Sequence, residues 1–525
     1  EPEPEPEPEP VQEAEPKPMP VLVPSNLIGC RRWQVEVEPC IDQYNLVDVN
    51  GTIVLTQDNW GVADALETRM KSRGLSVAKI GFEFGAKSVT EQEELAGHTY
   101  RADPGSSEQI AEICSRLTNV GGIIHLAPLS LLGESWESET GPSNQVILAA
   151  QSWFALLKGL DSQFVSLSSG LVGSVTALDG RHGNLDTHLN ALQSGASGVT
   201  KSYAFERENM RCRALDLHSE LIVDSEFAAQ IIENEMFAVG GEVEIGIDNN
   251  QKRWTLACYK EDLAEERERL SSNDIWLVSG GGSGVTAASI VGVSEASKDS
   301  KASFILLGRS ELIEKTANWV DWGEEKLNSE KMALRDNLTA ESQSGKITMV
   351  EWNNAWTKYT RSRDIFKTIT RIEATGNYAE YHSVDVADTE GIIEAINGRD
   401  VTGIVHGAGL EESKLVADKS WENFDRIVRV KVDGWRALAN AAGNSVRFAC
   451  AFTSVAGRFG NGGQTDYAAA NSILDVEMAR LTASGKCRAV AIGWTGWRDV
   501  GMATRGSIGT VFEAAGIETL PVELG

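Results

Sequence analysis

Four side chains near the end of the chain have the types and the spacing that carbonyl reduction requires. Tyr467 and Asn471 stand four residues apart, Ser454 lies thirteen residues before the tyrosine, and Lys431 precedes the serine by twenty-three. A phenol can give its proton to the alkoxide that forms as a hydride arrives, and a serine hydroxyl can hydrogen bond the same oxygen. A nearby ammonium favours the phenolate, so Lys431 is expected to bring the tyrosine pKa closer to the working pH. Asn471, one helical turn beyond Tyr467, is expected to orient the lysine or a proton-relay water.

A glycine-rich turn upstream has the features of a dinucleotide site. It lies between a predicted apolar strand at 274–279 and a predicted helix of small residues. The first N–H groups and the dipole of such a helix favour a diphosphate. A glycine run alone would equally suit a flexible loop, but this position favours a cofactor. The residues expected to hold the cofactor here are Gly280, Gly281, Gly282, Ser283, Gly284 and Val285.

The residue type after the next predicted strand, at 303–307, indicates which dinucleotide would bind. NAD-binding folds carry an acidic residue there for the ribose hydroxyls, whereas this chain has Arg309 followed by Ser310. A guanidinium suits a 2′-phosphate. The expected cofactor is therefore NADPH, although Arg309 could also be only a surface residue in a turn.

Two later segments complete the predicted cofactor site. Asp385 and Val386 follow a third predicted strand and are expected near the adenine, although Asp385 could equally cap a loop. The segment that ends the strand at 403–406 is expected to wall the nicotinamide pocket, with its histidine either a ligand contact or a buried core residue. That segment consists of His406, Gly407, Ala408 and Gly409.

The rhythm of strand, helix and turn occurs twice along the chain. Alternating buried strands and helices predict an α/β fold of two doubly wound subdomains, of which the second carries the catalytic residues. An acidic Pro-rich linker precedes them, and the second subdomain has a helical insertion. The predicted bounds are 1–20 for the linker, 21–272 and 273–525 for the subdomains, and about 311–380 for the insertion.

The first half echoes the second only weakly. Gly-Ile-Ile-His at 122–125 parallels Gly-Ile-Val-His at 403–406, and 164–169 is predicted as the strand that corresponds to 449–454. Ser197 stands where the second half has its tyrosine, and no glycine-rich turn follows the strand-like segment near residue 51. The first half is therefore predicted to be a non-catalytic scaffold.

Composition excludes several classes of protein. A net charge of −28 opposes a nucleic-acid partner, which needs a basic face. No run of 18 apolar residues predicts a membrane span, and no signal peptide is visible, so a cytoplasmic location is expected. The seven cysteines form no Cys-x-x-Cys pair and are expected to be reduced thiols without a metal.

The region from about 273 to 525 resembles the catalytic half of the ketoreductase domains of polyketide synthases, which belong to the short-chain dehydrogenase/reductase superfamily. In that family the lysine precedes the serine, and an asparagine follows the tyrosine by four residues, as Lys431, Ser454, Tyr467 and Asn471 do here. The region 21–272 resembles the structural subdomain of the family, a truncated Rossmann fold that binds no cofactor.

Several motifs look most like the ketoreductases of polyunsaturated fatty acid synthases: SGGGSGVT at 279–286, HGAG at 406–409, KVDG at 431–434 and GNGGQTDY at 460–467. The resemblance implies NADPH-dependent reduction of β-ketoacyl thioesters on the phosphopantetheine arm of an acyl carrier protein. The implied partners are that carrier and the other domains of the same multidomain synthase.

The chain departs from the family at its stereochemical markers. Glu411, Glu412 and Ser413 stand in place of the Leu-Asp-Asp signature, and Phe459 replaces the tryptophan of the other class, so these markers leave the hydroxyl configuration open. Two other functions are alternatives to that of a synthase ketoreductase. A stand-alone alcohol dehydrogenase or epimerase predicts lysine where Asn471 stands, and a non-catalytic scaffold module suits the first half better than the second.

Overall fold

The computed structural model describes residues 32–40, 49–94, 97–134, 144–184, 189–238, 240–261, 269–342, 345–501 and 518–525. The linker predicted at 1–20 lies outside these residues. Within them the chain forms two α/β subdomains, each with a largely parallel sheet covered by helices. The predicted class of two Rossmann-like subdomains is confirmed.

The first subdomain is built on a sheet to which the described residues contribute ten strands. In chain order these are β1 (Arg32–Pro39), β2 (Thr52–Thr56), β3 (Ser76–Phe82), β4 (Thr90–Glu94), β5 (Gly97–Ala102), β6 (Val120–His125), β7 (Gly170–Thr176), β8 (Met210–Leu217), β9 (Glu244–Ile247) and β10 (Arg253–Glu261). The order across the sheet is β1-β10-β9-β8-β7-β6-β2-β3-β5-β4, with antiparallel pairs at the two edges. The strands from β5 to β8 follow the doubly wound order, yet Gln57 and Asp58 follow β2 where a phosphate-binding turn would need glycine.

The second subdomain has a parallel sheet of six strands within the described ranges. They are β11 (Ile275–Ser279), β12 (Ser303–Gly308), β13 (Tyr378–Ser383), β14 (Gly403–His406), β15 (Phe448–Ser454) and β16 (Arg488–Trp494). The order across the sheet is β13-β12-β11-β14-β15-β16. Successive strands are added on one side of β11 up to β13 and on its other side from β14 onward, so the switch point lies between β11 and β14. Open α/β sheets bind ligands in the crevice at such a switch point, beyond the carboxyl ends of the strands.

Helices cover both sheets. In the first subdomain they are α1 (Val62–Ser72), α2 (Ser107–Arg116), α3 (Asn144–Val146), α4 (Ser152–Phe164), α5 (Ser194–Glu206), α6 (Ser219–Ile222) and α7 (Ser225–Phe237). In the second they are α8 (Gly284–Ala296), α9 (Glu324–Glu341), α10 (Met349–Glu373), α11 (Thr389–Ile396), α12 (Trp421–Ala442), α13 (Val455–Phe459) and α14 (Thr465–Ala483). A π-helical turn, Ile147–Gln151, joins α3 to α4.

The structure corrects one predicted strand and confirms one predicted correspondence. The strand predicted at 164–169 is wrong: Phe164 ends α4, and the strand beside β6 begins only at Gly170. Val165 is 60% exposed, whereas every residue of β7 is buried. The parallel between 122–125 and 403–406 is confirmed, because β6 and β14 occupy the same place in their sheets.

The two subdomains meet along α5 and α14. Gly198 lies at the closest approach, where a Cβ atom would stand 2.6 Å from the Ala468 carbonyl oxygen. The Phe154 and Phe424 rings stack nearby in the same core, with centroids 4.6 Å apart. The first subdomain thus supports α14, the helix that carries Tyr467.

Candidate active site

Tyr467 lies in the first turn of α14, and Ser454 ends β15 at the carboxyl edge of the parallel sheet. Burial, followed by the Glu411 carboxylate, raises the pKa of Tyr467 to about 12. Side-chain hydrogen bonds with Asn471 and Ser454 act to lower it. The structure therefore brings three of the predicted side chains together. The expectation of a lowered tyrosine pKa is wrong for this structure, because burial rather than the charge of Lys431 dominates the surroundings of the phenol.

Asn471 is fully buried one turn beyond the tyrosine. Its Nδ2 donates a hydrogen bond to the Tyr467 backbone carbonyl at 2.7 Å. Its Oδ1 has no hydrogen-bond partner among the described residues. A buried acceptor without a donor has a free-energy cost, so this oxygen is suited to a water or another donor within the site.

Lys431 extends from the middle of α12 to the strand that carries the serine. Its buried amine donates a hydrogen bond to the carbonyl of Phe452, two residues before Ser454. Burial lowers the pKa of Lys431 to about 8, and the Asp475 carboxylate acts to raise it. Asp475 follows Asn471 by one turn of α14. The sequence analysis did not single out Asp475, although the spacing of four residues could have indicated it.

His406 is fully buried and contacts both the strand before the glycine-rich turn and the helix that carries Lys431. One ring nitrogen is 2.7 Å from the Ser279 hydroxyl, and the other is 2.9 Å from the Lys431 backbone carbonyl. Burial lowers its pKa to about 3, so the ring stays neutral. These contacts favour the buried-histidine alternative. His125 in the first subdomain makes the corresponding contacts with Thr56 and the Ala149 carbonyl, at 3.2 Å and 3.1 Å.

The glycine-rich turn has the backbone shape of a phosphate cradle. Gly280 and Gly284 have positive φ angles of 71° and 74°, which favour glycine. A Cβ atom at residue 280 would stand 2.9 Å from the Ala408 nitrogen, so the turn lies against the 407–409 segment. Ser283 is exposed before α8 and makes no side-chain cap, which leaves the first N–H groups of the helix to face an anion. These features fit a dinucleotide diphosphate.

Helix α10, within the predicted insertion, holds this turn from the other side. The Thr368 hydroxyl donates a hydrogen bond to the Gly282 carbonyl at 3.1 Å. A Cβ atom at residue 282 would lie 2.9 Å from Ile365 Cγ1, so only glycine fits without a shift. A cluster of aromatic rings around Trp319 packs against α10, and the ring centroids of Trp319 and Trp356 are 6.1 Å apart.

The remaining predicted cofactor residues lie at the ends of β12 and β13. Arg309 is exposed directly after β12, and the Ser310 carbonyl accepts a hydrogen bond from the Tyr381 hydroxyl at 2.8 Å. Asp385 is exposed and accepts a hydrogen bond from the Ala387 N–H at 3.0 Å, which is the loop-cap arrangement. Val386 is buried in the core.

An ion pair that the sequence analysis did not identify fixes the start of α14. Lys419 and Asp466 are 2.7 Å apart, with their side chains 0% and 1% exposed. The Lys419 amine also donates to the Glu412 carbonyl at 3.1 Å, and the other oxygen of Asp466 accepts from the Tyr467 N–H at 2.8 Å. The pair therefore links the loop before α12 to the turn that presents the phenol.

Neither a membrane span nor a metal site is found in the described part of the chain. None of its helices has both the length and the apolar character that a membrane span requires. No group of three or more His, Cys, Asp or Glu side chains within these residues is arranged to hold a metal ion.

Comparisons with known proteins agree with this geometry. The family model described as KR domain matches residues 276–499. One component of the polyunsaturated fatty acid synthase of Thraustochytrium sp. is 28% identical over 370 residues, which cover 67% of this chain and 13% of that protein. The mellein synthase of Phaeosphaeria nodorum is 31% identical over 157 residues, covering 28% of this chain and 9% of that protein. The chain thus spans only a small part of these relatives.

Solved ketoreductase structures share the fold of nearly the whole chain. An N-terminal ketoreductase from the macrolactin assembly line aligns with a TM-score of 0.68 at 15% identity, covering 94% of this chain and 87% of that one. An A-type ketoreductase from a modular polyketide synthase gives 0.64 at 17% identity, covering 94% and 89%. At these identities the comparison shows the fold alone.

The doubly wound sheet, the glycine-rich turn at its switch point and the Ser454–Tyr467 pair define a Rossmann fold of the short-chain dehydrogenase/reductase type. Within that class, the family match and the relatives narrow the assignment. Residues 276–499, less than half of the chain, therefore match a ketoreductase domain of the polyketide synthase type.

Proposed function

We propose that this chain uses NADPH to reduce the β-keto group of an acyl thioester on an acyl carrier protein, as one domain of a multidomain polyunsaturated fatty acid or polyketide synthase. The observation that carries this proposal is the contact of the Tyr467 phenol with Ser454 and Asn471, in the subdomain that also holds the glycine-rich turn. The similarity to a component of a polyunsaturated fatty acid synthase supports the synthase context. The carrier protein and the other synthase domains are the proposed partners.

The side chains of the site divide the chemistry between them. NADPH, when bound along the glycine-rich turn, supplies the hydride for the ketone carbon. Ser454 holds the ketone oxygen through its hydroxyl, and Tyr467 gives that oxygen a proton. Because the pKa of the phenol is raised to about 12, the proton stays on the tyrosine at neutral pH until the alkoxide develops. Asn471 Oδ1, which has no partner among the described residues, would accept a hydrogen bond from a water, and that water would return a proton to Tyr467.

The preference for NADPH is assigned to Arg309. The exposed guanidinium after β12 is suited to a charge-assisted hydrogen bond with the 2′-phosphate. We expect Arg309→Ala to weaken NADPH binding by roughly 10- to 100-fold, the effect of losing a hydrogen bond to a charged group, and to leave NADH binding unchanged. Fluorescence titration with each dinucleotide measures both constants.

Arg371→Ala is the matched control for that experiment. Arg371 is an exposed arginine of α10 whose guanidinium is 3.4 Å from the Glu295 carboxylate. Its loss should change neither titration. Equal weakening of NADPH and NADH binding in Arg309→Ala would contradict the assignment of Arg309 to the 2′-phosphate.

A substrate comparison separates the proposed function from its two alternatives. The purified chain should oxidise NADPH with a β-ketoacyl thioester of N-acetylcysteamine, and faster with the same acyl group on a carrier protein. A stand-alone alcohol dehydrogenase would prefer small soluble ketones or alcohols. A scaffold module would not bind NADPH at all. Rapid turnover of simple ketones with no response to either thioester would contradict the proposal.

A further inference from the structure

Glu206, the last residue of α5, links the first subdomain to two loops of the second. One carboxylate oxygen accepts a hydrogen bond from the Val416 N–H at 2.8 Å, and the other accepts one from the Gly463 N–H at 3.0 Å. Glu206 itself is partly buried, whereas Val416 and Gly463 are buried. A single side chain thus holds two backbone segments that are far apart in sequence.

These segments, the 411–416 loop and the 460–464 loop, border the tyrosine. The 460–464 loop leads directly into α14, and the Lys414 N–H donates to the Gly463 carbonyl at 3.0 Å. Closer to the site, the Gln464 amide donates to the Glu411 carboxylate at 3.1 Å. Glu411 is also the charge that acts on the phenol of Tyr467. The two loops are therefore joined to each other directly before the first turn of α14, which carries the tyrosine.

The position of Glu206 is electrostatically unfavourable without these two contacts. A carboxylate at the end of a helix faces the negative end of the helix dipole, and burial raises its pKa. Two charge-assisted hydrogen bonds from backbone N–H groups offset this cost. The two loop N–H groups, together with the neighbouring Arg207 guanidinium, therefore stabilise the charged form of Glu206 at this position.

Two apolar side chains are exposed beside these contacts, among charged residues. Phe205, next to Glu206, is 60% exposed, and Leu415, next to Val416, is 47% exposed. Exposed apolar side chains near the entrance of a site can contribute to the binding of an apolar ligand. An acyl chain that reaches Tyr467 from this side would pass the segments that Glu206 holds.

We propose that Glu206 is a positioning residue for the substrate. Glu206 belongs to the first subdomain and holds the 411–416 and 460–464 loops at a fixed spacing. The first subdomain thereby helps to form the part of the active site that binds the acyl chain. This inference rests on the proposed ketoreductase function, because the affected ligand is the β-ketoacyl thioester.

The test replaces Glu206 with glutamine, whose amide can accept from one N–H but presents a donor to the other. We expect KM for the N-acetylcysteamine β-ketoacyl thioester to rise about tenfold, with kcat changed less than about twofold, because a hydrogen bond to a charged group is lost. The dissociation constant for NADPH should not change. In hydrogen exchange, the amides of both loops should exchange faster than in the wild type.

Glu208→Gln is the matched control, because Glu208 is exposed two residues further along and holds neither loop N–H. Ser202→Ala is a milder second variant, since the Ser202 hydroxyl accepts from the Asn461 N–H at 3.1 Å and fixes only the 460–464 loop. It should raise the same KM by a smaller factor and remains informative if Glu206→Gln does not fold.

The outcomes separate the two proposals. A wild-type chain that reduces no thioester would refute the proposed function, whatever Glu206 does. An active wild type with an unchanged KM in Glu206→Gln would overturn the positioning role, whether or not the loop amides exchange faster. A changed NADPH dissociation constant would overturn it as well, since the effect would then not be confined to the substrate.

Discussion

Tyr467→Phe should lower kcat for thioester reduction by about 10³-fold and leave NADPH binding intact. General acid catalysis contributes about 10²- to 10⁴-fold, and phenylalanine keeps the ring but has no proton to give. The dissociation constant for NADPH should stay within about twofold, because the glycine-rich turn and Arg309 are not altered. Steady-state NADPH oxidation and a fluorescence titration on the same preparation measure the two quantities.

Tyr378→Phe provides the control for that substitution. Tyr378 is 58% exposed at the start of β13, so loss of its hydroxyl should leave kcat unchanged. Turnover by Tyr467→Phe at the rate of the wild type would refute the role of the phenol. Loss of NADPH binding in that variant would mean instead that the tyrosine holds the cofactor.

The largest effect on stability is expected from Lys419→Met. The substitution leaves the Asp466 carboxylate without its partner at a position that is 1% exposed. Removing one member of a buried ion pair destabilises a protein by about 3–5 kcal/mol. Denaturant-induced unfolding of the wild type and the variant, compared near neutral pH, measures the change in the free energy of unfolding.

The loss of unfolding free energy in Lys419→Met should increase as the pH rises. Burial raises the pKa of Asp466 to about 6 even though Lys419 acts to lower it. Without the lysine the pKa of this carboxyl in the folded state should rise further above that in the unfolded state. An acid of this kind stabilises the fold when it is protonated, and the stabilisation is lost as the pH rises. The deficit of Lys419→Met should therefore be smaller near pH 5 than near pH 8.

Two further variants separate the buried pair from general effects of lost charge. Arg371→Met removes one member of a pair whose side chains are 60% and 58% exposed, and it should cost less than about 1 kcal/mol. The double variant Lys419→Met with Asp466→Leu removes both buried charges and should recover much of the stability. A deficit in Lys419→Met no larger than that of Arg371→Met would contradict the importance of the buried pair.

Local patterns in the sequence predicted the doubly wound fold, but they misplaced one strand. The segment 164–169 has the apolar alternation of a strand, whereas β7 contains Gly170 and Gly173, which are poor strand formers. At both positions a side chain would crowd neighbours that the sequence does not reveal, and those neighbours would have to shift. A Cβ atom at residue 170 would lie 2.6 Å from Met210 Cε, and one at residue 173 would lie 2.4 Å from Met236 Sδ.

For the candidate site, too, the sequence predicted some features and not others. Order and spacing were enough to predict that Ser454, Tyr467 and Asn471 would meet, because a strand end and one helix face carry them. The raised pKa of Tyr467 could not be predicted, since it depends on burial and on Glu411, which is 56 positions away in the chain. The role of Glu206 depends in the same way on contacts between the two subdomains.

The most direct test of the account follows the hydride itself. The wild-type chain is incubated with a β-ketoacyl thioester and with NADPH that carries deuterium at C4 of the nicotinamide, each diastereomer in turn. The account predicts that one diastereomer, and not the other, gives a β-hydroxyacyl thioester with deuterium at C3, as measured by mass spectrometry. An unlabelled product from both diastereomers, or no product from a chain that binds NADPH, would contradict it.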